Sequence, residues 1–110
     1  MAWGPSVERG VMIKFRDLYF KPRTICPDGF SVSIQANQGA YCTPRDNIGP
    51  WTHVELGYPS SEPPKYIWGY AEDTDYKTSS VYGYVPVVLV RMMLKEHGLV
   101  WRNRRATKKV

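Results

Sequence analysis

The chain reads as a single α+β domain. Three observations carry this: stretches in which apolar and polar residues alternate between turn signals, one late segment with apolar residues at three- and four-residue spacing, and a length of 110 residues, enough for one hydrophobic core. Strands first and a helix last argue an antiparallel sheet, five to six strands by count, packed by one C-terminal helix. The expected organisation is a flexible N-terminal extension over residues 1–11, a domain over 12–101 and a basic, disordered tail over 102–110.

Each element has a local reason. Val11, Ile13 and Phe15 alternate with Met12, Lys14 and Arg16, the period of a half-buried strand. Arg16 to Phe20 either continues it or turns, and Lys21-Pro22-Arg23 ends it, because proline cannot donate to a ladder. Pro27-Asp28-Gly29 is a turn, with proline presetting φ and glycine taking the positive φ. Phe30, Val32 and Ile34 then alternate with Ser31, Ser33 and Gln35. Asn37-Gln38-Gly39 reverses the chain into a short strand at Ala40 to Thr43, a hairpin that sets Ala36 against Ala40 and Ile34 against Cys42.

Pro44 to Pro50 is loop by composition. Trp51 to Tyr58 reads as a strand with Val54 and Leu56 inward, and the proline-rich stretch Pro59 to Pro64 as a second loop. Tyr66, Trp68 and Tyr70 share one face of the next expected strand, and Tyr82 and Tyr84 one face of the last, Val81 to Val85. Pro86 suits the first turn of a helix that runs to His97 and stops at Gly98. In it, Val88, Leu89, Met92 and Met93 form the stripe expected to be buried, with Lys95 on the solvent side.

Charge is unevenly placed. Residues 1–101 hold ten Lys/Arg and ten Asp/Glu, so the net +5 comes from Arg102, Arg104, Arg105, Lys108 and Lys109. Such a run is either a solvated end or a contact for phosphates, and the second use makes these five residues nucleic-acid-binding candidates. No apolar run is long enough to span a bilayer, and Met1 to Gly10 lacks the pattern of a secretory signal, so a cytoplasmic location is expected. The two cysteines, Cys26 and Cys42, are then expected to be unpaired thiols.

Chemistry-bearing residues are sparse. Cys26, Cys42, His53 and His97 have zinc-binding atoms without the close ligand pairs that zinc folds use. No elbow or glycine-rich loop accompanies Cys42 and His53, and Glu72, Asp73 and Asp75 lack the ligand order of a calcium loop. No catalytic residue, metal or cofactor is therefore expected. The aromatic residues Tyr66, Trp68, Tyr70, Tyr82 and Tyr84 either pack under the helix or form a partner-binding face.

Three segments carry a resemblance: MIKFRDLYFKPRTICPDGFSVSIQA (Met12 to Ala36), YCTPRDN (Tyr41 to Asn47), and VYGYVPVVLV with the EHG helix end (Val81 to Gly98). In them the chain resembles small proteins of tailed phages and prophages, over most of residues 12–98. The group has no assigned activity, so the resemblance transfers no site residue. What it implies is an accessory protein that binds a host protein or nucleoprotein complex, with inhibitors of host defence of the anti-CRISPR kind as the specific expectation. The alternative is a nucleic-acid-binding protein that uses the tail and an aromatic sheet face.

Overall fold

A computed structural model describes residues 14–101. Four strands, β1 (Thr24–Ile25), β2 (Ser31–Gln35), β3 (His53–Gly57) and β4 (Val81–Pro86), form an antiparallel sheet in the order β1-β2-β3-β4. A 3-10 helix, Phe15–Phe20, precedes the sheet; α1 (Lys65–Trp68) lies between β3 and β4, and α2 (Val87–Glu96) follows β4 directly. The α+β class holds with four strands. The expected terminal extension and basic tail, Arg102, Arg104, Arg105, Lys108 and Lys109 included, lie outside the described residues.

The core sits on one face of the sheet. Val32 and Ile34 of β2, Val54 and Leu56 of β3, and Tyr82 and Val85 of β4 are buried together with Phe15, Leu18 and Tyr19 of the 3-10 helix, Ile67 of α1, and Val90, Met93 and Leu94 of α2. Burial alternates along β2 as its sequence requires, and Pro27-Asp28-Gly29 makes the expected turn. There Gly29 has φ +98°, and the Asp28 carboxylate accepts the Phe30 amide at 3.0 Å. That turn joins β2 to β1, a strand the sequence reading missed because only two residues of it pair. The Arg23 guanidinium secures this edge, donating to Ser31 Oγ at 2.9 Å and to the Tyr58 carbonyl.

Several expectations are corrected. Phe15 opens a 3-10 helix instead of closing a strand; Val11 to Ile13 lie outside the described residues. The hairpin after β2 does not form, and Ile34 pairs with Leu56 instead of Cys42. Asn37 turns the chain too tightly for a strand to follow: its carbonyl accepts the Ala40 amide, its side chain accepts the Gly39 amide, and the Cys42 thiol donates back to its carbonyl. The Tyr66–Tyr70 strand is α1 and the turn after it. Here Ile67 takes the buried position, and the Trp68 indole donates to the Pro63 carbonyl at 2.7 Å.

The helix also docks on a different stripe. Val90, Met93 and Leu94 are buried, whereas Val88 is 63% and Met92 43% exposed, and Leu89 is half-buried. The segment VVLVRMML is apolar on nearly every side, so periodicity alone cannot choose its phase. The junction chooses it: Pro86 still pairs with His53, and the Val87 amide donates to the Thr52 carbonyl at 2.9 Å, which fixes the rotation at which α2 leaves the sheet. Gly98, at φ +88°, ends the helix as expected. The last turn is tied to the β1–β2 turn by His97, whose ring stacks on Phe30 at 4.0 Å and whose Nδ1 lies 2.6 Å from the Asp28 carboxylate.

Candidate partner-binding site

The site is built by a bulge in β4. Leu56 pairs with Tyr82 and Val54 with Val85, so Gly83 and Tyr84 together oppose the single residue Glu55. Regular alternation would send Tyr82 and Tyr84 to the same face. The extra residue breaks that phase, so Tyr82 is fully buried, Val85 returns inward and Tyr84 turns outward at φ +52°, 43% exposed. Positive φ is costly for a residue with a side chain, by about 1 kcal/mol or more.

Three segments meet at the bulge. The Gly83 amide donates to the Tyr70 carbonyl at 3.2 Å, the Tyr84 amide to the Tyr41 carbonyl at 3.0 Å, and the Glu72 amide to the Val81 carbonyl at 2.9 Å. The result is a shallow open groove lined by Tyr41, Tyr70, Ala71, Glu72, Gly83 and Tyr84. The rings of Tyr41 and Tyr84 lie 5.9 Å apart with a 33° tilt. Glycine at 83 eases this approach, since a Cβ there would come within 3.2 Å of Tyr41 Cβ and Tyr41 would have to give by a few tenths of an ångström.

The groove is charged as well as aromatic. Glu55 is half-buried on the open face of the sheet, and its carboxyl is held above the ordinary range, first by burial and then by the Glu72 carboxylate; Arg45 and the Tyr41 amide oppose that shift. Arg45 itself lies over the Tyr41 ring at 5.4 Å.

A pH prediction follows from Glu55. With its pKa higher in the folded than in the unfolded chain, the folded state binds more protons in that window, so this group's contribution falls as pH rises through it. Glu55→Gln should therefore match the parent in thermal melts near pH 4 and become the more stable of the two near pH 7. A difference that is constant across that range would show that Glu55 is not the titrating group.

Of the five aromatic candidates, the structure brings Tyr70 and Tyr84 together and separates the rest. Tyr82 is core, its hydroxyl donating to the Lys77 carbonyl at 2.6 Å. Tyr66 and Trp68 are half-buried on α1. The Tyr66 hydroxyl is buried, and burial, followed by the neighbouring Glu96 carboxylate, pushes its pKa up to about 12. Tyr41, Glu55 and Arg45 were missed because the bulge and the bonds that gather them join residues distant in sequence.

The other chemistry-bearing residues stay apart. Cys26 and Cys42 are buried free thiols, and burial pushes Cys26 up to about 12, the reverse of what a thiolate nucleophile needs. Among the described residues no three His, Cys, Asp or Glu side chains gather as metal ligands, and no helix is long and apolar enough to cross a membrane. Comparison with protein-family models, curated proteins and solved structures gives no match.

Proposed function

We propose that the chain is a non-enzymatic accessory protein of the phage type that binds a host protein or nucleoprotein complex, a defence complex being the specific partner class. One observation carries the choice of face. The β4 bulge holds Tyr84 in a strained conformation in which it leaves the core and lines a groove with Tyr41 and Tyr70. Backbone strain clusters at functional positions, and among the described non-glycine residues Tyr84 shares its positive φ only with Tyr58, which lies outside the groove. An exposed aromatic pair rimmed by Arg45, Glu55 and Glu72 has the character of an interaction hot spot, large rings at the centre and charges around them.

The test separates binding from folding. Tyr84→Gly removes the ring and relieves the positive φ, so stability should stay within about 1 kcal/mol of the parent or rise. Pull-down from host lysate should return a stoichiometric partner with the parent chain and lose it with Tyr84→Gly. A partner retained by the glycine variant would place the contact elsewhere, and no stoichiometric partner for the parent chain would end the proposal.

A further inference from the structure

A second surface lies over the 3-10 helix. The rings of Trp101, Phe15, Tyr19 and Trp51 form a continuous row, with successive centroids 5.1, 5.7 and 5.4 Å apart. Two exposed arginines lie on this row at either end. The Arg91 guanidinium is 4.6 Å from the Phe15 centroid and 5.8 Å from Trp101; that of Arg16 is 5.7 Å from Trp51 and 6.0 Å from Phe20. Both act on Tyr19 between them, partly offsetting the burial that pushes its phenol up to about 12.

Among the described residues, neither guanidinium has a carboxylate within ion-pair distance; the one such pair is His97 with Asp28. A guanidinium laid on an aromatic ring is fixed in orientation while its planar edge of N–H donors stays free, the geometry that grips a phosphate in bidentate fashion.

We propose that Arg16 and Arg91 form a phosphate-binding pair for single-stranded nucleic acid, with Phe20 and Trp101 as the stacking neighbours of its bases. Phosphate chemistry alone would also admit a lipid headgroup. The aromatic neighbours favour nucleic acid: Phe20 is 66% exposed beside Arg16, and Trp101, partly buried against the core, keeps an accessible edge beside Arg91. Alternating cations and exposed rings are how strands are held without sequence preference. Trp101 also leads directly into Arg102, Arg104 and Arg105, with Lys108 and Lys109 beyond. This surface shares no residue with the Tyr84 groove, so the two readings stand or fall separately.

The test is fluorescence anisotropy of the full chain with a labelled oligothymidylate of about 20 nucleotides, at roughly 50 and 200 mM salt. The parent chain should bind, more weakly at the higher salt. Arg16→Gln/Arg91→Gln, which removes both charges but leaves polar side chains, should weaken binding about tenfold or more at low salt, since charge-assisted contacts are the strong ones. It should also make the log–log salt slope shallower by about 1.4, from roughly 0.7 per phosphate contact on a single strand. A variant-free measurement accompanies it: in the parent chain, the Arg16 and Arg91 Nε–H resonances should shift on titration with the oligonucleotide. No binding by the parent chain, an unchanged slope in the double variant, or unmoved arginine resonances would each overturn the proposal. Phosphatidylserine vesicles that bind the parent chain and displace the oligonucleotide at equal phosphate would overturn it in favour of a headgroup.

Discussion

Leu94→Ala should lower the unfolding free energy by about 2–5 kcal/mol, the transfer loss and the residual cavity together. Leu94 is fully buried on α2 between Val90 and Met93, which are equally buried, and its carbonyl also accepts the Leu99 amide at 3.0 Å where the chain leaves the helix. Met92→Ala, two residues away and 43% exposed, should cost within about 1 kcal/mol, because little apolar area leaves the core with it. Urea denaturation of the two variants checks the phase of the helix. A damaging Met92→Ala beside a neutral Leu94→Ala would mean that α2 docks on Val88, Leu89, Met92 and Met93 after all.

That pair of variants also marks the boundary of what was legible in the sequence. β2 could be read because Phe30, Val32 and Ile34 alternate with Ser31, Ser33 and Gln35, and the observed burial follows that alternation residue by residue. The existence of α2, its glycine stop and the turn at Asp28-Gly29 were legible for the same reason: each is specified within a few residues. The docking face of α2 was not, because one bond between Val87 and Thr52 sets it and the segment VVLVRMML is apolar on nearly every side. The same holds for β4. Its pattern of Val81, Tyr82, Gly83, Tyr84 and Val85 fits a regular strand, and only the partner strand reveals that two of its residues oppose Glu55.

The candidate site suffered most from this. Tyr84 and Tyr70 could be named from their aromatic character, but the spacing that put Tyr66, Trp68 and Tyr70 on one strand face meant nothing once α1 formed. On a helix, residues four apart share a side and residues two apart do not. Ile67, between them, proved to be the anchor. The arginines of the second surface, Arg16 and Arg91, lie 75 positions apart, and no local rule could pair them. In the groove the sequence singled out only Tyr70 and Tyr84, and in the second surface none of the residues, because the bulge and the aromatic row that assemble them join positions far apart in the chain.

Gly49→Ala should be among the most damaging small changes in the chain, costing about 2–5 kcal/mol from backbone strain and overpacking combined. Gly49 has φ +74°, and a Cβ built on it would stand 2.6–2.9 Å from three ring carbons of Trp51. That indole cannot easily yield. It is buried, its Nε1–H donates to the Asp46 carbonyl at 3.2 Å, and its ring meets Tyr19 edge-on. The loop is equally fixed on the other side, where the Asp46 carboxylate accepts the Ile48 and Gly49 amides at 3.0 and 2.9 Å. Gly29→Ala is the matched control: φ there is +98°, but nothing lies within 4 Å of the added methyl, so only the backbone penalty of about 1–2 kcal/mol should appear. The difference between the two variants in chemical denaturation then isolates the contact with Trp51. Because Arg16 lies over that same ring, Gly49→Ala should also weaken oligonucleotide binding while Gly29→Ala leaves it unchanged. Equal losses of stability in the two variants would show that the Trp51 ring does not hold this loop in place.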